Sequence, residues 1–284
     1  MNILEKNDCP QFLNKKQTEE MCLEAVKKDG LLLEHVNKQT EEICLEAIKQ
    51  NGKALQFVED NLINDILRFE AIIRCGYALQ YIRNLEQTKE MCLEAMKQNI
   101  NSLAYVKEQS EEMCLNAVKI DGSTLRYVKE QTEEICLEAV KQDTYALFYV
   151  KEQTEEICLE AVKYCGNSLC FVKEQTYDIC LEAVKQDKHA LQFVINQTVE
   201  LCLNAIKHNK WCLQYVKDQT EEMCLEAVKQ CGKTLYYVRE QTENICLEAV
   251  KQNGMALVFV KEQTVEICLE ALKQNIDALK YVKK

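Results

Sequence analysis

Seventeen cysteines stand among the 284 residues, and their spacing limits the chemistry open to them. Eleven of them (Cys22, Cys44, Cys92, Cys114, Cys136, Cys158, Cys180, Cys202, Cys224, Cys246 and Cys268) recur every 22 residues, with one longer interval of 48. A structural zinc site needs four Cys or His ligands around one ion and usually announces itself through closely spaced ligand pairs. No CxxC occurs, the CxxxxC of Cys165 and Cys170 is a weak substitute, and His35, His189 and His208 are scattered. Equivalent positions on stacked helical units lie about 8–10 Å apart, beyond the roughly 7 Å between Cα atoms that a disulfide tolerates. The recurring cysteine therefore reads as a small, soft apolar packing residue, with no metal and no cofactor expected. Catalysis asks for several unlike groups converging on one point. The carboxylates here are repeated, exposed and next to lysine, unlike a dyad with separated pKa values. The expectation is a protein that is not an enzyme.

Composition narrows the class. The chain is 47% hydrophobic and 29% charged, with Pro10 its single proline, a balance too apolar for disorder and suited to helix. A net charge of −11 tells against bulk affinity for nucleic acid or anionic membrane. No apolar run is long enough to span a bilayer, and the opening MNILEKNDCPQF has no signal-peptide core. A reducing, cytoplasmic setting with free thiols is the default.

The elements that carry the cysteines are copies of one motif. A Gln-Thr or Gln-Ser pair begins at Gln17, Gln39, Gln87, Gln109, Gln131, Gln153, Gln175, Gln197, Gln219, Gln241 and Gln263. Counting the irregular stretch 61–86, this makes twelve repeats over 17–284, a single repeat domain behind a lead-in or cap at 1–16. Numbered from its glutamine, each repeat has Thr or Ser at position 2, mostly Glu at 3 and 4, and a Cys-Leu-Glu-Ala-Val-Lys-like run at 6–11. Positions 16, 17, 19 and 20 are small, Leu, aromatic and Val.

Two architectures fit this spacing: stacked helix pairs, or one continuous amphipathic helix, since 22 is twice 11. All seven glycines (Gly30, Gly52, Gly76, Gly122, Gly166, Gly232 and Gly254) fall at position 14, where a left-handed C′ residue would end a helix. Thr at position 2 and the acids after it signal a helix start. The irregular repeat carries two extra residues before Phe69 and two after Ile82. Inside a continuous helix each pair would rotate the apolar face by about 200°, whereas in turns they cost little. The expected fold is all-α, an α-solenoid of about twelve 22-residue helix-turn-helix units, with helices at about positions 2–13 and 15–22. A membrane-surface ribbon needs the continuous helix that the glycines disfavour.

The CLEAVKQNG-KALQFVKEQT pattern resembles a short helical repeat of unknown function found in mimivirus-like giant DNA viruses and some amoeba-associated bacteria. The resemblance covers roughly 17–284. It implies a viral helical repeat protein in the host-cell cytoplasm, and it carries no reaction, ligand or catalytic residue.

On the first helix, positions 5, 6, 9, 10 and 13 span an arc of about 140° that faces the core. Glu at 3, 4 and 8 and Lys at 11 and 21 read as mixed, solvated ladders along the stack. The positions that disagree between copies are 15 and 18, expected on the outward side of the second helix. Large apolar entries gather there: Tyr145 and Phe148 in one repeat, Trp211, Tyr236, Met255 and Val258 in three consecutive ones. With His189 and Arg126 they form the candidate partner-binding set, since aromatic residues dominate interface anchors. A second candidate face is Arg68 and Ile73 of the irregular repeat, where other copies have Cys and Lys. The function expected is a non-catalytic scaffold for one or more protein partners. The alternative is a single-stranded RNA reader, with 15 and 18 as its code and lysines on phosphate. End-to-end self-association through the C-terminal repeat is a further expectation.

Overall fold

The computed structural model describes residues 17–83 and 86–283; the expected lead-in at 1–16 lies outside them. Among the described residues, twelve α-helices of ten residues each alternate with twelve 3₁₀ helices of six. The α-helices are α1 (Glu19–Lys28), α2 (Glu41–Gln50), α3 (Asp65–Arg74), α4 (Lys89–Gln98), α5 (Glu111–Ile120), α6 (Glu133–Gln142), α7 (Glu155–Tyr164), α8 (Tyr177–Gln186), α9 (Val199–His208), α10 (Glu221–Gln230), α11 (Glu243–Gln252) and α12 (Val265–Gln274). No strand occurs among the described residues. The repeats stack in sequence order, as in an α-solenoid, within two compact bodies that divide inside α6, at Ile135 and Cys136.

Each repeat folds as its polar punctuation dictates. The position-2 hydroxyl accepts a hydrogen bond from the position-5 backbone N–H and so caps the α-helix, as in Thr176 with Ile179 at 3.3 Å. Asn64 does the same for α3. The α-helix ends because position 13 turns extended, with φ near −150°. Where position 13 is Asp or Asn, its side chain then accepts from the position-15 N–H and caps the 3₁₀ helix, as Asp187 does for His189 at 2.9 Å. Cys75, Cys165 and Cys231 occupy that position without a side-chain cap.

The second helix is shorter and tighter than expected, spanning positions 14–19 with three residues per turn. Residues three apart then eclipse, which gives three edges: 14 with 17, 15 with 18, and 16 with 19. Position 17 is buried in every repeat but the last, position 14 where it is glycine, and position 16 in all but the first. Position 19 is half-buried from Phe57 onward, and the 15/18 edge turns outward.

The glycines do a different job from the one their position suggested. No described residue has a positive φ, so none is a left-handed cap. A Cβ on Gly30, Gly52, Gly76, Gly166, Gly232 or Gly254 would instead collide with the backbone carbonyl of the position-9 alanine one repeat on, Ala249 in the case of Gly232. At Gly30, Gly166, Gly232 and Gly254 the N–H also donates to the position-12 glutamine of that next repeat, as Gly232 does to Gln252 Oε1 at 2.6 Å. Glycine therefore permits the closest approach of repeats, although α3 and α4 pack loosely across Gly76. α7 packs tightly on α8 across Gly166, as α10 does on α11 across Gly232. Across Lys188 and Lys210, α8, α9 and α10 pack more loosely. In the first body Ile100 takes the glycine's place, α4 and α5 stand further apart, and an open cleft of about 570 Å³ lies between Gln87, Cys92, Gln109 and Met113. Gly254→Ala is expected to cost about 1–3 kcal/mol, as overpacking against backbone does. Lys210→Ala, at the same position of an open junction, is expected to stay within about 0.5 kcal/mol. Equal denaturation midpoints for the two variants would remove this account of the glycines.

In the irregular repeat the first insertion lies in the turn before α3 and leaves both helices at standard length. The second falls at 83–86, of which 84 and 85 lie outside the described residues.

Candidate functional site

In most repeats two backbone-facing side chains hold the outward edge in place. The position-1 glutamine is the hub. Gln175 Nε2 donates to the carbonyls of Leu169 in the preceding repeat, 3.3 Å, and Phe193 in its own, 3.0 Å. Its Oε1 accepts from the Ile195 N–H at 2.9 Å and faces the Cys180 Sγ at 3.7 Å. The same pattern recurs at Gln153, Gln197, Gln219, Gln241 and Gln263. The recurring cysteine is thus a packing residue with one added duty, a thiol directed at the glutamine oxygen. Its burial pushes the thiol pKa up, to about 11 at Cys158, Cys180, Cys202 and Cys224.

The lysines at position 21 are the second clamp, and here the expected mixed ladder with glutamate is corrected. Lys173 Nζ donates to the carbonyls of Val150 and Lys151 in the preceding repeat, and Lys217 and Lys283 do the equivalent. Arg239 replaces lysine and makes the same contacts. A cation here neutralises carbonyls left open where the 3₁₀ helix ends. Several position-11 lysines pair within their own helix with the position-8 glutamate, as Lys251 does with Glu248 at 3.0 Å and Lys273 with Glu270 at 3.0 Å.

On this frame the variable side chains sit where the 15/18 edge places them. Tyr145, Phe148 and Tyr236 are each about two-thirds exposed, at 64%, 66% and 67%. Val258, His189 and Arg126 are also exposed, whereas Trp211 and Met255 are half-buried. The burial of Trp211 has a visible cause: its ring meets Tyr237, the position-19 ring of the next repeat, edge-on at 6.0 Å. The same step joins Tyr145 to Phe171, His189 to Tyr215 and, in the first body, Tyr77 to Tyr105. Position-18 rings wedge between consecutive position-19 rings. Phe148 lies 5.3 Å from Tyr149 and 5.9 Å from Phe171, and Tyr236 lies 5.0 Å from Tyr237 and 5.5 Å from Phe259.

The structure thus brings Trp211 and Tyr236 together through Tyr237, and joins Tyr145 to Phe148 through Phe171. Arg126 belongs to the first body, its guanidinium 4.6 Å from the Tyr127 ring centre. The half-buried position-19 aromatics are part of this surface. The signal that would have found them is the 3₁₀ geometry, which puts position 19 on the edge beside 15 and 18.

Arg68 and Ile73 do not share a face. Arg68 points inward, 13% exposed, and pairs with Asp65 and Glu86 at 2.8 Å each, whereas Ile73 is exposed. In the last repeat Leu279 and Leu269 are 62% and 54% exposed, although Leu257, equivalent to Leu279 one repeat earlier, is fully buried. No group of three or more His, Cys, Asp or Glu side chains among the described residues is arranged to hold a metal ion. No described helix is long and apolar enough to cross a membrane.

The repeat frame matches a known family model, described as a domain of unknown function (DUF4116), at residues 18–65, 110–153, 154–197, 198–242 and 242–284. The chain belongs to this family. Comparisons with curated proteins and with solved structures gave no match. The family's matches include every variable position discussed in the second body from Tyr145 onward, and leave out the span from 66 to 109 that holds most of the irregular repeat.

Proposed function

We propose that this DUF4116 protein is a non-catalytic scaffold that binds protein partners through the 15/18 edges of its 3₁₀ helices. The observation that carries the reading is the exposure of Tyr145, Phe148 and Tyr236 on a frame whose equivalent positions elsewhere are mostly polar. Exposed aromatic clusters mark contact surfaces, and Tyr and Trp supply most of the anchoring energy at interfaces. Protein is favoured over single-stranded RNA because the repeated cations are engaged. The position-21 lysines spend their charge on carbonyls and several position-11 lysines on glutamate, leaving a poor track for phosphates. The resemblance of the repeat to those of giant viruses supports placing this scaffold in the host-cell cytoplasm.

Affinity purification with the wild-type chain and with the Trp211→Ala/Tyr236→Ala double variant tests the reading. Loss of specific partners from the variant, with its circular dichroism unchanged, is the expected result. Equal recovery by both chains would sink it.

A further inference from the structure

The second body sets seven 3₁₀ helices side by side, from Thr144–Tyr149 to Ile276–Tyr281, each in contact with the next. Their edges at positions 15, 18 and 19 form one row of side chains with two properties. It is aromatic in every repeat, through Tyr149, Phe171, Phe193, Tyr215, Tyr237, Phe259 and Tyr281 at position 19. It is also nearly free of charge: only Lys233, Asp277 and Lys280 carry one, in a chain that is 29% charged. A face of that kind favours an uncharged occupant, because a charged segment laid on it would lose water and find no opposite charge.

Spacing narrows the occupant further. Successive position-19 rings with a third ring wedged between them stand no more than about 11 Å apart, the two ring distances laid end to end, and stacked helices in general lie about 8–10 Å apart. A polyproline II helix rises about 3.1 Å per residue with three residues per turn, so each turn advances about 9.3 Å. One turn per repeat would bring the same side of such a helix over an aromatic ring at each step. Its carbonyls make no internal hydrogen bonds, and the Trp211 indole N–H and the Tyr236 and Tyr237 hydroxyls are donors on this row. A polyproline segment is also stiff before it binds, so little ordering cost opposes docking.

We infer that the aromatic row of the second body binds an uncharged, proline-rich segment in the polyproline II conformation, one turn per repeat. The inference rests on the scaffold reading above and names the chemistry of its partner. Trp211 is the chain's single tryptophan and lies within the row, so its fluorescence reports occupancy without a label.

The test titrates the full chain with dodecaproline and with a Gly-Ser dodecapeptide, oligouridylate and cellohexaose. The expected result is a saturable change in Trp211 emission with dodecaproline alone. Binding should weaken at least tenfold in Tyr236→Ala and in Phe148→Ala, and remain unchanged in Gln80→Ala, which alters the 15/18 edge of the first body. Absence of saturation by dodecaproline overturns the inference, as does equal response to the Gly-Ser peptide or preferential response to RNA or sugar. So does unaltered binding by Tyr236→Ala. Loss of cellular partners from the Trp211→Ala/Tyr236→Ala variant, combined with no dodecaproline binding, would leave the scaffold reading standing and remove the proline-rich class. Unchanged partner recovery would remove the scaffold reading itself.

Discussion

Gln175→Ala is expected to destabilise the second body by about 2–4 kcal/mol. The size follows from what the amide holds. The Phe193 carbonyl and the Ile195 N–H lose their partner together, and the Leu169 carbonyl keeps only its bond from the Val172 N–H. Each net hydrogen bond is worth about 0.5–1.5 kcal/mol, and a group left buried without a partner costs more. Gln175→Met separates hydrogen bonding from volume, since it fills much of the same space and restores none of the bonds. Both variants should lower the urea midpoint, and both should speed hydrogen exchange at Ile195 and its neighbours, with little change in distant repeats. That local response is what a chain of nearest-neighbour contacts predicts. A Gln175→Met variant as stable as wild type would show that the glutamine acts by size alone.

The legibility of this fold in its sequence divides along physical lines. The period, the helical class and the α-helix starts were readable because each rests on side chains acting locally. Thr176 caps the helix that follows it, and an insertion of two residues is tolerable only in a turn. The role of the glycines was not readable. Gly166 and Gly232 follow a helix, the place where a left-handed cap belongs, yet their reason for being there lies one repeat away, at the carbonyls of Ala183 and Ala249. The second helix was misjudged in length and type for a related reason. Its C-terminal end is tied by partners distant in sequence, the position-1 glutamine and the lysine of the following repeat, and no periodicity of side chains along the segment records those ties. The outward placement of positions 15 and 18 was readable from their variability. Their contact with the next repeat's position-19 ring required the 3₁₀ geometry.

The thiols give the second large effect, a loss of stability at alkaline pH. Burial, the main cause, raises Cys44, Cys158, Cys180, Cys202 and Cys224 from the ordinary 9.0 to about 11, and raises Cys212 to about 12. Above pH 9 the unfolded chain releases these protons while the folded chain keeps them, so the unfolded state binds fewer protons and stability falls as pH rises. The contribution is fully present below pH 9, declines through the interval from 9 to about 11, and for Cys212 continues to about 12. Because many sites act together, the urea midpoint should drop steeply over this interval and stay flat with respect to these groups between pH 7 and 9. Tyrosines and lysines titrate nearby, so the informative comparison is a chain with Cys158, Cys180, Cys202 and Cys224 all replaced by alanine. That variant starts less stable, since each replacement leaves a small void, and its midpoint should fall less between pH 9 and 11. The same burial predicts which thiols react. At pH 8 iodoacetamide should modify the exposed Cys170 in the folded chain, while the cysteines facing the position-1 glutamines react only on unfolding. Equal labelling rates for Cys170 and Cys180 in the folded protein, or identical alkaline slopes for the two chains, would show that the recurring cysteine is not held where its glutamine partner and its burial place it.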